Sequence, residues 1–494
     1  MAVTTRGLPA EAGSHGVDVQ TFIDAHAVSP LQKRLLFLCF VVIAIDGFDT
    51  AIIGFIAPAI RAEWRLGVTQ LGPLFAAGLF GLMFGAFTVG PLADRYGRKR
   101  LLVASMVLFG AASLASSYST GLTSLIGLRF ATGLGLGGAM PMTITLASEF
   151  CPSTRRASLV TLMFCGFTLG SAVGGLIAAP VLPHFGWRVL LVGGGLAPLA
   201  LAPILGVLLP ESVRFLVTTG NADERIAAVL TRIAPAADLS GVRFIDQAAP
   251  KVSPVVQLFG GALLRGTLLL WLAFFMSLLV VYLMTNWMPT LLQHASGASI
   301  GDAAFIGAMY QVGGTIGAIL VGRLMDRFEP HVVLFASYLT GAACIVLISL
   351  STHTREVMTL AVFAAGGCIS GGQVGGNALS AAFYPTAYRA TGVAWANGVG
   401  RSGSIVGSLL GGVLLGYGWP ATTVYALVAI PAAAAAIALG TLGIVRRHEA
   451  TGSLWTRRRD SNQEIRDEYP GRGGEGEVWP VRDGRNPARR AKGR

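Results

Sequence analysis

Two aspartates, Asp46 and Asp49, lie in Asp46-Gly47-Phe48-Asp49-Thr50, inside an apolar run from Leu35 to Ile60 that carries no other charge. At about 1.5 Å per residue such a run exceeds a hydrocarbon core of about 30 Å, so both carboxylates fall near mid-membrane. An ionised carboxylate there costs roughly 2.5–3.5 kcal/mol on insertion scales. The i, i+3 spacing puts both on one helix face, which must line a polar cavity or meet cations rather than lipid. The chemistry open to such a pair is binding and releasing a proton, with Asp49 first and Asp46 second as nearest mid-depth. The other use of either residue is a buried ion pair that only pins a neighbouring helix.

Two arginines could answer those acids. Arg401 lies about ten residues, or roughly 15 Å, into a run that starts near residue 391, which is the bilayer centre. A buried guanidinium grips a carboxylate through two parallel hydrogen bonds, making Arg401 the candidate anchor for an acidic substrate or, alternatively, a fixed partner of Asp46 or Asp49. Arg129 is nearer the outer end of its run, where it can snorkel outward, and reads as a coupling or gating residue. Polar and aromatic residues of the later runs, Tyr282, Asn286, Tyr310, Gln311, Asn377, Trp395 and Asn397, are candidates for the rest of the ligand. Gln311 and Asn377 lead because a lipid-facing amide is costly, and Tyr282 and Trp395 join them as expected substrate contacts.

The elements that must position these residues are membrane helices. Of 494 residues, 53% are hydrophobic and 13% charged, about half the charge of ordinary soluble domains, which marks an all-α polytopic membrane protein. The formal net charge of +12 sits in short loops and the C-terminal stretch rather than on a folded basic domain, so it reads as membrane topology and not nucleic-acid binding. Five scattered cysteines give neither a disulfide framework nor a metal site. No His-containing metal cluster or nucleophile triad can be assembled on one side of the membrane, so neither an enzyme nor a cofactor is expected. Residues 1–32 are polar and the first apolar run is too long for a cleavable signal.

Twelve apolar runs follow, near 35–60, 71–92, 101–119, 122–147, 157–181, 188–209, 266–291, 303–324, 331–350, 357–381, 391–416 and 420–445. They imply a segment 1–34, a bundle 35–209, a central loop 210–265, a second bundle 266–445 and a tail 446–494 whose Arg, Gly, Pro and acidic mixture predicts no fixed structure. With an even number of spans both termini share one side. Lys33-Arg34, Arg95 to Arg100, Arg155-Arg156, Arg323, Arg327, Arg389 and Arg446-Arg447 all fall there, which makes it the cytoplasmic side of a cell (inner) membrane.

The halves repeat. Phe150-Cys151-Pro152 with Arg156-Ala157 returns 233 residues later as Phe383-Tyr384-Pro385 with Arg389-Ala390, and Gly170 and Gly174 fall on Gly403 and Gly407. The Asp94-Arg95 turn after Gly90 is echoed by Gly322 and Asp326-Arg327. Two bundles related by a parallel repeat are what alternating-access carriers are built from. Gly127, Gly133, Gly135, Gly137 and Gly138, and Gly166, Gly170, Gly174 and Gly175, recur at the small-xxx-small spacing that lets helices approach closely in lipid. Gly133-Leu-Gly-Leu-Gly-Gly138 follows no strand and is no nucleotide-binding loop.

Gly90-Pro-Leu-Ala-Asp-Arg-Tyr-Gly-Arg-Lys-Arg100, together with Arg129, Gly133 and Gly135, resembles the loop between spans two and three and the fourth span of the major facilitator superfamily. Asp46-Gly-Phe-Asp-Thr-Ala51, Gly54-Phe-Ile-Ala-Pro58, Met163-Phe-Cys-Gly-Phe167, Pro210-Glu-Ser-Val-Arg-Phe-Leu216 and Tyr384-Pro-Thr-Ala-Tyr-Arg-Ala-Thr-Gly-Val393 are similar to the aromatic acid:proton symporters within it, over roughly residues 17–446. The tenth span, Gly371-Gly-Gln-Val-Gly-Gly-Asn377, is richer in glycine than that branch.

The resemblance implies the twelve-helix major facilitator fold. It also implies proton-coupled import of a small aromatic carboxylate, 4-hydroxybenzoate or protocatechuate first, with the lipid bilayer and protons as the other partners. Asp94, by the same resemblance, is a conformational residue of the loop between spans two and three. Arg98, Glu149, ending the fourth span, and Asp326 join it as gating or coupling residues. Another organic acid or a sugar is the rival cargo, and a membrane receptor or channel the rival class. Sugar porters share Pro-Glu-Ser-x-Arg at 210–214, yet a neutral sugar gives no use for Asp46, Asp49 and a mid-depth Arg401.

Overall fold

The computed structural model describes residues 16–220, 222–235, 237–239, 241–245, 255–260, 263–351, 354–385 and 389–468. A short strand β1 (Val17–Asp18) and helix α1 (Val19–Asp24) precede six long helices, α2 (Pro30–Trp64), α3 (Leu71–Tyr96), α4 (Arg98–Ser116), α5 (Leu122–Phe150), α6 (Arg156–Phe185) and α7 (Trp187–Leu208). Short helices α8 (Val213–Thr219) and α9 (Asp223–Thr231) and strand β2 (Phe244–Ile245) occupy the central loop. A second set of six follows: α10 (Leu263–Ser296), α11 (Ile300–Arg327), α12 (Pro330–Leu350), α13 (Arg355–Phe383), α14 (Arg389–Gly416) and α15 (Ala421–Glu468). Among the described residues twelve helices, α2–α7 and α10–α15, are long and apolar enough to cross a membrane, and each answers one of the apolar runs. The described residues from Ile444 to Glu468 fall in a separate unit as the continuation of α15, so 446–468 is helical where composition predicts no fixed structure.

Local chemistry sets where α2 begins. Ser29 and Gln32 form a capping box, with Ser29 N–H donating to Gln32 Oε1 at 2.7 Å and Gln32 N–H to Ser29 Oγ at 3.3 Å, and Pro30 sits in the first turn. The Gln32 side-chain amide also donates to the Phe150 carbonyl at 2.7 Å, joining the start of α2 to the end of α5. This end of the bundle, which carries the basic loops, is called the basic face below. The residues before α2 are not a loose arm: β1 pairs in parallel with β2, and Val19, Phe22 and Ile23 bury with Val213, Leu216, Ile226 and Leu230. Burial alone would raise the Asp24 carboxyl. Hydrogen bonds from Ser153 and Gln20 and the charge of Arg156 outweigh it and hold the group below its usual range.

The repeated glycines make the same joints in both halves. A Cβ on Gly170 of α6 would collide with the Ala44 carbonyl of α2, and Cβ atoms on Gly403 and Gly407 of α14 would collide with the Phe275 and Leu279 carbonyls of α10. Gly133 and Gly137 of α5 meet Gly78 and Leu82 of α3 in the same way, as Gly313 and Gly317 of α11 meet Phe363 and Gly367 of α13. Without a hydrophobic driving force between helices in lipid, such backbone-to-backbone approach is the main source of cohesion.

The two bundles meet on the face away from the basic loops. Gly54 of α2 abuts the Thr285 carbonyl and Asn286 of α10, Gly301 of α11 abuts Ala179 of α6, and Gly416 of α14 abuts Thr69. Arg61 and His294 close the same face with a 3.0 Å hydrogen bond. Glycines within a bundle and between bundles should therefore respond differently. Gly170→Val is expected to cost at least the 1–3 kcal/mol typical of overpacking, lowering the melting temperature in detergent. Gly54→Val should melt near wild type but expose cysteines placed on the closed face. Equal melting of wild type and Gly170→Val would contradict the α2–α6 separation.

Candidate functional site

Asp49 and Arg129 are the centre of the buried polar network. Both are 3% exposed, and Arg129 Nη1 lies 3.0 Å from Asp49 Oδ2 and 3.2 Å from Oδ1. Ser113 of α4 donates to Asp49 Oδ1 at 2.9 Å, while Arg129 Nη2 donates to Ser113 Oγ at 3.1 Å and Thr132 Oγ1 at 3.0 Å. Hydroxyls of α4 and α5 thus satisfy Asp49 Oδ1 and Arg129 Nη2, which helps a buried ion pair to be tolerated, while Arg129 Nε has no hydrogen-bond partner among the described residues. The expectation that Arg129 snorkels outward is corrected. A carboxylate within reach removes the reason to seek water, and the guanidinium stays inside.

Asp46, equally buried at 3% exposed, has a different environment. Its contact is Thr50 Oγ1, donating at 3.2 Å, and among the described residues no cation lies within 4.0 Å. The positive charge it feels is that of Arg401 on α14. Arg401 itself donates from Nη1 to the Tyr282 hydroxyl at 2.8 Å and rests Nη2 3.6 Å from Met140 Sδ across the bundle boundary. Neither aspartate is its direct ion-pair partner among the described residues.

A cavity of about 40 Å³ lies between the bundles, lined by Asp49, Thr50, Phe75, Arg129, Tyr282 and Asn286 among others. It has room for water but not for an organic molecule, so admitting one requires the bundles to separate. Tyr282, which lines this cavity, accepts a hydrogen bond from Arg401, which does not line it. Asn286, 2% exposed, donates from Nδ2 to Ser408 Oγ at 2.8 Å, and its Oδ1 has no partner among the described residues. An unsatisfied buried acceptor costs about 1–3 kcal/mol. Gln311 donates to Thr285 Oγ1 at 3.1 Å, one residue from Asn286.

Of the expected substrate contacts Tyr282 lines this cavity, and Arg401, Gln311, Asn377 and Trp395 do not. Asn377 is half-buried with its Oδ1 unpartnered, and Trp395 is 44% exposed and stacked on Trp271 at 5.8 Å; neither lines the cavity. Arg98 and Glu149 form an ion pair, and the Ser212 hydroxyl donates to Glu149 Oε2 at 2.5 Å and accepts from Arg98 Nη1 at 3.1 Å. Glu211 Oε1 accepts from the Lys99 amide at 2.9 Å, at the start of α4. This cluster joins α4, α5 and the start of the central loop within the first half. In the sequence Glu211 and Ser212 stand out only as part of a family motif; their signal is an acid and a hydroxyl directly after the sixth span. The Asp94 side chain lies outside the described residues, and Asp326 is exposed on the basic face. Ser113, Thr132 and Ser408 were missed because one hydroxyl in an apolar run looks like packing.

The arrangement is a buried charge network at the boundary of two repeated bundles, matching the architecture of a carrier. The model of the Major Facilitator Superfamily matches residues 39–299 and 270–466. The chain belongs to the major facilitator superfamily. Among superfamily relatives, the 4-hydroxybenzoate transporter PcaK of Pseudomonas aeruginosa is 47% identical over 437 residues, covering 88% of this chain and 97% of the relative. The gallate transporter of Pseudomonas putida is 42% identical, covering 87% and 96%. The solved structure of the xylose transporter XylE from Escherichia coli aligns with a TM-score of 0.66 at 17% identity, covering 82% of this chain and 95% of that one, and bears on the fold alone.

The desolvated Asp49–Arg129 pair makes a thermodynamic prediction. Arg129→Met leaves a buried carboxylate uncompensated and should destabilise by about 3–5 kcal/mol. The double variant Arg129→Met, Asp49→Leu should recover most of that loss in thermal unfolding, giving a large coupling energy. Additive losses would mean that the two groups do not depend on each other.

Proposed function

We propose that this chain carries small aromatic carboxylates, 4-hydroxybenzoate or a close hydroxylated relative, into the cell together with a proton, by alternating access of its two bundles. The names of its relatives support the substrate class. The observation that carries the mechanism is the difference between the two first-span acids. Asp49 is held by Arg129, whereas Asp46 is buried without a paired cation and feels the charge of Arg401. The order of the two proton candidates is therefore reversed, with Asp46 first and Asp49 as the fixed reference charge.

Charge counting supplies the coupling. The empty site has two carboxylates and two guanidinium groups and is neutral. An incoming substrate carboxylate pairs with Arg401, which then no longer offsets Asp46, and one proton on Asp46 restores neutrality. Binding of the anion alone or of the proton alone leaves a net charge in the low-dielectric boundary, which is costly, so the bundles rock when the site is empty or holds both. One monoanion with one proton is electroneutral and is driven by the pH gradient. Any further proton would add about 2.3 kcal/mol per 100 mV. Asp94, Arg98, Glu149 and Asp326 serve as conformational residues of the basic face, supported for Arg98 and Glu149 by their ion pair at the helix ends. The basic loops support a cytoplasmic-membrane location with both termini inside.

Proteoliposome uptake tests the coupling. Accumulation should follow an imposed pH gradient and not a potassium-diffusion potential alone. Asp46→Asn should abolish accumulation while preserving exchange of labelled for unlabelled acid, and accumulation by that variant at wild-type level would reject the role. Arg401→Lys keeps the charge but loses the two-pronged grip, and should weaken binding about 10- to 100-fold, the equivalent of one charge-assisted hydrogen bond. In thermal-shift measurements aromatic acids should stabilise the protein and their methyl esters should not. Stabilisation by hexoses alone would overturn the reading in favour of a sugar porter.

A further inference from the structure

Helix α10 presents two polar side chains one turn apart to the cavity, Tyr282 and Asn286. At i, i+4 they lie on one face of the helix, separated by about 6 Å along its axis. Tyr282 is bonded to Arg401, the proposed grip for the carboxylate. Asn286 is therefore one ring length further along the same wall, on the side where the bundles are closed.

Its amide is held. Nδ2 is engaged by Ser408 Oγ of α14 at 2.8 Å, and the neighbouring Trp287 Nε1 donates to the Ser408 carbonyl at 2.8 Å, locking α10 and α14 in register at this point. On the other side Gly54 of α2 lies against the Thr285 carbonyl and the Asn286 Cα, so close that any Cβ there would collide. What remains free in this buried, fixed group is one acceptor, Oδ1, for which the described residues provide no donor.

We propose that Asn286 is the specificity-determining residue that accepts a hydrogen bond from a ring hydroxyl of the substrate, para to the carboxylate held at Arg401. Resting on the aromatic-acid reading above, this inference names how a hydroxybenzoate is told from benzoate. A benzoate lacking the hydroxyl offers Oδ1 no donor and fills the space from which water could reach it. Discrimination against a ligand missing a hydrogen-bonding group is strong where the site's own polar atom is thereby stranded. A 4-methoxybenzoate has the oxygen but no proton to give, and is rejected for the same reason. Asn286 makes no proton transfer and is not an ion-pair partner; its contribution is selection.

The test is the ratio of dissociation constants for benzoate and 4-hydroxybenzoate, measured by calorimetry on the full-length protein in detergent. Wild type should favour 4-hydroxybenzoate over both benzoate and 4-methoxybenzoate by tenfold or more. Asn286→Leu should bring the benzoate ratio to near one while binding benzoate at least as well as wild type, which also verifies that the variant is folded. Asn286→Ser, too short to reach, should behave alike, and Ser408→Ala, which frees the amide, should lower the ratio part-way. A full ratio retained in either Asn286 variant, or a wild type that binds benzoate and 4-hydroxybenzoate equally, would overturn the assignment while leaving aromatic-acid transport standing. Equal binding of 4-methoxybenzoate and 4-hydroxybenzoate would overturn the acceptor role. Failure of wild type to bind any of the three acids would overturn the transport reading itself, and this inference with it.

Discussion

The constraint on which the rest depends is the cost of carrying formal charge through the middle of a membrane protein. Asp49 and Arg129 line the cavity where the bundles meet and Asp46 lies in the field of Arg401, with both aspartates and Arg129 buried. A charge removed from water is tolerated when paired and hydrogen-bonded, and Asp49 with Arg129 is paired and bonded to Ser113 and Thr132, with only Arg129 Nε left without a partner among the described atoms of the pair. Asp46 and Arg401 are compensated only at longer range. The same energetic rule thus yields one locked pair, which gives the first bundle a rigid interior, and one loose pair at the boundary with the second, where a ligand's charge can intervene.

Glycine makes that rule enforceable. Small residues bring helix backbones together closely enough to exclude water and lipid from the network, and the joints recur at matching positions in the two halves, α6 on α2 and α14 on α10. Each bundle can then move as a body. The boundary between bundles uses the same device more sparingly, at Gly54, Gly301 and Gly416, all toward the closed face. Cohesion within bundles and separability between them come from how many such joints there are and where they fall along the helices.

The basic face is tied together differently, through exposed and half-buried charge. Arg98, Glu149 and Ser212 knot α4 to α5 and to the segment leaving α7, while Glu211 accepts from the Lys99 amide in the first turn of α4. Acid at a helix N-terminus complements its dipole and unsatisfied amides. The strand pair β1–β2 and the residues buried with α1 fasten the chain before α2 to the central loop. The polar segments are therefore part of the first half's framework, a point with no counterpart in hydropathy.

Composition and spacing by themselves determined twelve spans, the two-fold repeat and the presence of mid-depth charge, because the bilayer imposes one length and one polarity on every crossing segment. The glycine register was equally legible, since Gly170 and Gly403 occupy equivalent positions of the repeat and make equivalent contacts. Which acid meets which arginine was not. On a helix, residues three apart share a face in projection, yet the angle between their side chains was enough to send Asp49 to α5 and leave Asp46 in the field of α14. Arg129 looked free to reach outward until the packing of α2, α4 and α5 set a carboxylate beside it. Trp395 and Asn377 carried the right chemistry and do not line the cavity, while Asn286 gained its place from Ser408 and Gly54, residues 122 positions downstream and far upstream in the chain. Sequence sets which groups must be buried; only the tertiary contacts decide which of them find partners, because pairing depends on distances between helices that no single helix encodes.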